Sequence, residues 1–300
     1  IIVVSNTPRR RTYSVLLGLA PVIHNDSIPP MTMTPVTKAL IPCGGKGTRM
    51  STLTGGGAKE LLPIGGVPLV LRVMEECAAS GIDEVMIVTA PGKKDLRDAV
   101  LAAAGSEGMP AKVEVEIQEE PRGLADAIRL GRFFAHGAPL AIAFPDKLFI
   151  GAAPGLSQLT GVYERTGKSV VAIVRLTAAN KDRYGPTAIY PGRAVENEFI
   201  IERVPDKGPR EKGFDLRGAA TAFTGVGRYV FLPGIFATID EVEAHLPSGK
   251  VLDVEPVLQL LHQRHKLTGC VIRGDFLDVG LPSGYQEAVV RFGAQQERDE

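Results

Sequence analysis

Between residues 38 and 144 the chain repeats one unit: a short apolar run ending in Gly, Pro or a polar residue, then an amphipathic stretch that carries helix signals. The runs at 38–43, 84–89 and 140–144 are apolar almost throughout, as strands buried on both faces are. Val113, Val115 and Ile117 alternate with Glu114 and Glu116, which predicts a strand with one wet face. Helices are expected at 68–80, with Leu69, Val73 and Cys77 on one face and Gly81 after it, at 94–104, stopped by Gly105, and at 124–134. Strands alternating with helices predict an α/β fold with a mostly parallel sheet covered on both sides. Sites in such sheets lie beyond the carboxyl ends of the strands.

Composition narrows what those sites can bind. Lys plus Arg and Asp plus Glu number 34 each, so the uniform basic field of a protein that binds nucleic acid through phosphates is missing, and any anion site must be local. No apolar run reaches the ~18–20 residues of a membrane span, so neither nucleic acid nor membrane is an expected partner. The three cysteines, Cys43, Cys77 and Cys270, fall in no paired spacing, which predicts no disulfide framework or zinc site and fits a reducing cytoplasm. Arg9-Arg10-Arg11 and the apolar stretch 13–23 superficially copy a signal peptide, but the strand pattern begins at Lys38. Residues 1–35 are therefore expected to be a disordered or non-native extension. Without them the chain carries 31 basic and 33 acidic side chains.

After the first strand comes Gly44-Gly45-Lys46-Gly47-Thr48-Arg49, where three glycines let backbone amides approach an anion and two cations add charge. It has neither the spacing of a Walker P-loop nor the third glycine of a dinucleotide fingerprint, since position 50 is Met. Gln118 to Ala125 follows another strand, Asp146 a third, and Asp278 the short run Phe276-Leu277 after an expected strand at 270–273. A basic Gly-rich loop with two separated carboxylates describes a site for a phosphorylated ligand and a hard divalent ion.

Lys59 stands ten residues beyond Arg49 in Lys59-Glu60-Leu61-Leu62-Pro63. This pair of segments and the nine-residue gap resemble the sugar-1-phosphate nucleotidyltransferases. The similarity continues through Gln118-Glu119-Glu120-Pro121-Arg122-Gly123-Leu124-Ala125, Pro145-Asp146, Arg183-Tyr184-Gly185, residues 225–231, Asp278-Val279-Gly280 and Gly284-Tyr285. It is greatest to the UTP-glucose-1-phosphate uridylyltransferase branch and spans about 38–293. The resemblance implies a Rossmann-like nucleotide-diphospho-sugar transferase fold, with a mostly parallel mixed central sheet flanked by helices. One domain is expected at 36–295, its nucleotide-binding part at about 36–150 and its sugar-phosphate-binding part at about 151–295. It also implies Mg²⁺-dependent uridylyl transfer from UTP to glucose-1-phosphate in the cytoplasm, by a homodimer or homotetramer.

Carried over by position, Arg49 and Lys59 are the catalytic cations. Gly44, Gly45, Gly47, Thr48, Gln118 and Gly123 bind the nucleotide, Gly185, Glu202 and Arg203 the sugar phosphate, and Asp146 and Asp278 the Mg²⁺. The sugar side departs from the family's pattern: Arg203 stands for a lysine, with Lys207 nearby, Pro282 replaces another lysine, and residues 249–253 are changed. Nucleotidyl transfer from dTTP or GTP, a different sugar-1-phosphate, and a non-catalytic nucleotide-sugar-binding regulator are the alternatives. His262 and His265, three apart on an expected helix, are read as surface residues, Cys43 as packing, and Arg210 and Lys212 as charges of a mobile loop at 205–218.

Overall fold

A computed structural model describes residues 33–45, 47–178, 180, 189–206 and 221–299. The expectations for residues 1–32, Lys46, Gly185, Lys207, Arg210 and Lys212 lie outside the described residues. In the first half, β1 (Lys38–Pro42) leads through a 3-10 turn (Thr48–Met50), α1 (Ser51–Thr54) and a second 3-10 turn (Lys59–Leu61) to the hairpin β2 (Pro63–Ile64) and β3 (Val67–Pro68). Then come α2 (Leu69–Ala79), β4 (Glu84–Thr89), α3 (Lys94–Ala103), β5 (Lys112–Ile117), α4 (Leu124–Leu130), α5 (Arg132–Ala135), β6 (Leu140–Ala143) and β7 (Lys147–Ile150). The second half holds α6 (Gly155–Thr166), β8 (Ser169–Thr177), β9 (Gly192–Val195), β10 (Glu198–Ile201), β11 (Thr221–Phe231), α7 (Ile235–Ala244), α8 (Val254–Gln263), β12 (Leu267–Val271), β13 (Asp275–Asp278) and α9 (Pro282–Asp299).

Nine strands form one sheet in the order β5-β4-β1-β6-β11-β8-β12-β10-β9. The strands β5, β4, β1 and β6 run parallel. β11 is antiparallel to both its neighbours, β6 and β8. β12 pairs parallel with β8, and β10 and β9 follow antiparallel. The sheet is therefore mixed, its parallel half coming first, and β11 joins the two halves of the chain in one sheet. The chain steps from β1 to β4 and β5 on one side and returns to β6 on the other, which opens a crevice beyond the ends of β1 and β6.

Both faces are packed. Ala39, Ile41, Ala141 and Ala143 belong to one buried cluster with Leu69, Val73 and Cys77 of α2. Their alternates Leu40, Leu140 and Ile142 join Ile128, Phe134, Val257 and Leu258 on the other face. Side chains alternate along a strand, so apolarity on both faces gives the unbroken apolar runs.

Three details differ from the sequence expectation. The helix expected at 124–134 breaks at Gly131, whose N–H bonds to the carbonyl three residues back at Ile128, 2.9 Å, tightening the last turn of α4 at a poor helix former. The strand expected at 270–273 is Leu267–Val271. The helix expected to carry both histidines ends at Gln263, and His265 follows it with φ 56°, so His262 and His265 share no helical face. Among the described residues no helix is long and apolar enough to cross a membrane.

Candidate functional site

The crevice holds a cavity of about 390 Å³, lined by Gly44 and Gly45 after β1, Lys59 and Glu60, Gln118 after β5, Gly123 at the start of α4, and Pro145-Asp146 after β6. Tyr229, Asp253 and Glu255 line its other wall. Its size is within the ordinary range for a small-molecule site.

Its floor is fixed by backbone clamps. Lys93, just before α3, donates to the Cys43 and Gly45 carbonyls at 2.6 and 2.9 Å and to both oxygens of the fully buried Glu60 at 3.2 and 3.0 Å. This cation holds the Gly-rich loop open rather than presenting its charge to a ligand. Cys43 is buried, and burial pushes its thiol well up, in keeping with a packing role; Cys77 and Cys270 are buried free thiols too.

On the β6 side Arg228 is fully buried and donates to the Phe144 carbonyl at 3.0 Å and the Lys147 carbonyl at 2.7 Å, on either side of Pro145-Asp146. Glu76 of α2 holds the same guanidinium through both oxygens, at 2.8 to 3.3 Å. Arg228 thus sets the backbone that presents Asp146.

Asp146 meets Lys59 at 2.5 Å. Burial, the largest influence on its carboxyl, would raise its pKa, but the charges of Lys59 and Lys147, the Lys59 hydrogen bond and Arg49 outweigh it and hold the group below the usual carboxylate range. Lys59 is the mirror case: burial would lower it, yet the charge and hydrogen bond of Asp146 and the charge of Glu60 raise it above the ordinary lysine value. The pair is therefore ionised from about pH 5 to 9. Its contribution to stability is lost only as pH falls through the depressed Asp146 value or rises through the raised Lys59 value. Arg49 is exposed on the turn Thr48–Met50, which Met50 anchors in the core, and its charge is felt at both Lys59 and Asp146. Thr48 beside it is exposed as well, while Gly47 packs toward the Lys59 stem: a Cβ there would sit 3.4 Å from Lys59 Cγ.

Asp278 ends β13 directly opposite Lys147 of β7. A Cβ placed on Gly280 would lie 2.9 Å from Asp146 Oδ2 and 3.1 Å from Asp278 Oδ1, so the two carboxylates converge on one cradle that only a glycine leaves open. Two hard oxygen donors at one point fit Mg²⁺, which commonly takes one or two protein carboxylates and fills its other positions with phosphates and water.

Gln118 is buried, and its amide nitrogen donates to Asp126 Oδ2 at 2.7 Å and to the Gly123 carbonyl at 3.2 Å. Those bonds fix the amide's orientation and leave Oε1, on the Gly44 side, as the acceptor. Gly123 has φ 118°, and a Cβ there would stand 2.3 Å from the Leu252 carbonyl oxygen. The same carbonyl accepts from Ala125 N at 3.0 Å, so the turn is bonded to the segment just ahead of α8. Gly123→Ala is expected to destabilise the protein by about 3 kcal/mol and to weaken nucleotide binding together with it. Chemical denaturation with calorimetry checks this, and a variant as stable as the parent would mean that the turn can move away from Leu252.

The sugar-side expectations are placed differently. Glu202 and Arg203 are exposed beside α8, with His262 Nε2 3.1 Å from the Glu202 carbonyl oxygen, and neither lines the cavity. Lys93, Glu60, Arg228, Glu76 and Lys147 escaped the sequence reading. Lys93 and Lys147 each follow a strand end, the position that marked the residues that were found.

A family model described as nucleotidyl transferase matches residues 38–294. The UTP–glucose-1-phosphate uridylyltransferase of Bacillus subtilis (strain 168) is 28% identical over 282 residues, covering 88% of this chain and 93% of that protein. UTP–glucose-1-phosphate uridylyltransferase 2 of Staphylococcus saprophyticus is 28% identical over 289 residues, covering 88% and 94%. Among solved structures, a UDP-glucose pyrophosphorylase complexed with UDP-glucose superposes with a TM-score of 0.72 at 24% identity, covering 87% of this chain and 99% of that one.

Proposed function

The chain belongs to the nucleotidyl transferase family, and from that premise we propose that it transfers the uridylyl group of UTP to glucose-1-phosphate, releasing pyrophosphate and forming UDP-glucose. The observation that carries this reading is one cavity in which the Gly-rich loop, Lys59, Asp146 and the Gln118 acceptor all meet. The curated relatives named as UTP–glucose-1-phosphate uridylyltransferases support the choice of substrates.

In this reaction a phosphate oxygen of the sugar phosphate attacks the α-phosphorus of the nucleotide and pyrophosphate leaves, so no nucleophilic side chain is needed. The protein must bring two anions together and neutralise the charge that builds between them. Gly44 and Gly45 border the cavity with the close backbone approach that phosphates require. Lys59 is a point charge for the phosphate under attack, and Arg49 a fork for the leaving phosphates. Gln118 Oε1 accepts the N3–H of uracil, which its fixed amide orientation suits. Asp146 and Asp278 would hold Mg²⁺, which when bound screens the phosphates from one another and polarises the α-phosphate. Asp253, Glu255 and Tyr229, which also line the cavity, offer polar groups to sugar hydroxyls. Three buried thiols suit work in a reducing cytoplasm.

The test is a pyrophosphate-release matrix of UTP, dTTP, GTP, CTP and ATP against several sugar-1-phosphates with Mg²⁺. UTP with glucose-1-phosphate is expected to give the highest kcat/KM. A different best pair would replace the substrates and keep the reaction. Tight UDP-glucose binding without turnover by any pair would make the protein a nucleotide-sugar sensor.

A further inference from the structure

Lys147 has no part in the reading above, yet it touches one carboxylate of the cradle and its charge is felt at the other. Its Nζ is 2.5 Å from Asp278 Oδ2 and its charge reaches Asp146, the residue before it in the chain. Its backbone cannot drift, because the Lys147 carbonyl is held by the buried Arg228 at 2.7 Å and its Cα pairs in register with Asp278. Only the side chain, about one-fifth exposed, is free to swing. Each carboxylate of the cradle therefore carries its own ammonium, Lys59 on Asp146 and Lys147 on Asp278. An ammonium in contact with a carboxylate oxygen repels a divalent cation arriving at the same group, so both cannot keep that place.

We propose that Lys147 is a phosphate-binding cation of the active site, which neutralises Asp278 in the nucleotide-free protein and turns to a phosphate oxygen when the metal takes that carboxylate. The swap rests on the assignment of Asp146 and Asp278 to the metal. It has a direct consequence: free metal binds weakly because the lysines compete for its ligands, whereas metal already on a polyphosphate brings the anion that draws them off. Nucleotide and metal then enter together. A cross-strand salt bridge that merely ties β7 to β13 would compete with the metal as well, but it lends nothing to a phosphate, so its removal would leave the anion affinity of the metal-loaded protein alone.

The two are separated by Lys147→Met and Lys147→Arg, with Mn²⁺ as an electron-paramagnetic-resonance probe and pyrophosphate, added to the Mn²⁺-saturated protein, as the anion probe. Without nucleotide, Lys147→Met is expected to bind Mn²⁺ about fivefold more tightly than the parent and, once saturated with Mn²⁺, to bind pyrophosphate about fivefold more weakly. Lys147→Arg keeps both parent values to within about twofold. Unchanged pyrophosphate binding by Mn²⁺-saturated Lys147→Met, or unchanged or weaker Mn²⁺ binding by that variant, with Mn²⁺ binding lost in Asp278→Asn, overturns the role of Lys147 and keeps the metal site. Mn²⁺ binding unaffected by both Asp146→Asn and Asp278→Asn overturns the metal site, and the lysine swap with it.

Discussion

Asp146→Asn is expected to lower turnover by about 10³-fold while the protein stays folded. Asparagine keeps the volume and loses the charge at the one position that touches both Lys59 and the Gly280 cradle. The charge matters because it orients Lys59 and, on the proposed reading, supplies a hard ligand for the metal. The cost to stability is smaller, about 2 kcal/mol or less, because Lys59 retains partial contact with water and with the charge of Glu60. Steady-state pyrophosphate release measured beside far-UV circular dichroism separates the two effects. A loss of turnover under tenfold would remove Asp146 from the reacting centre. With Asp146 depressed and Lys59 raised, neither sets a limb of the pH–rate profile between about pH 5 and 9, so any limb found there belongs to another group or to substrate phosphate.

Arg228→Met is expected to be the most destabilising single change outside the hydrophobic clusters, by about 3–5 kcal/mol, because it leaves the largely buried Glu76 carboxylate with the Leu156 N–H but no countercharge. It also strips the donors from the Phe144 and Lys147 carbonyls on either side of Asp146. The double change Glu76→Leu with Arg228→Met separates these roles. Replacing a buried ion pair by apolar groups of similar volume is often neutral for stability, so the double variant should regain most of the loss in a urea melt. Its turnover should remain about 10²-fold down, because Arg228 then no longer holds the Phe144 and Lys147 carbonyls on either side of Asp146. A double variant that recovers both stability and turnover would make Arg228 a stabilising residue and nothing more.

The pattern that was visible in the sequence is local. β1, β4 and β6 announce themselves because both faces of each strand are buried, and the site follows from the rule that residues just after such strands line the crevice. Gly44, Lys59, Gln118 and Asp146 were found that way or by motif spacing, and the cavity gathers them. What escaped is long-range. Arg228 and Glu76 lie 152 residues apart, and no periodicity links a lone arginine in an apolar strand to a glutamate on a helix. Lys93 reads as one of two lysines at a helix start until its bonds to Cys43, Gly45 and Glu60 are seen. Gln118 was legible as a polar residue in the right place, but the direction of its amide is set by Asp126 on the following helix. Glu202 holds its place in a motif, but the antiparallel hairpin of β9 and β10 leads it to the side of α8 and it does not line the cavity. The break at Gly131 was lost for a simpler reason, since one glycine in an apolar stretch does not say whether it bends the helix or is carried through it.

The proposed reaction requires two anions to meet at one cradle between Asp146 and Asp278. The most direct test incubates the purified protein with UTP, glucose-1-phosphate and Mg²⁺ and follows phosphorus resonance, for the parent beside Asp146→Asn and Asp278→Asn. The parent is expected to form UDP-glucose and pyrophosphate in equal amounts, and each variant to form almost none over the same period. Equal turnover by the parent and either variant, or no UDP-glucose from the parent, would contradict it.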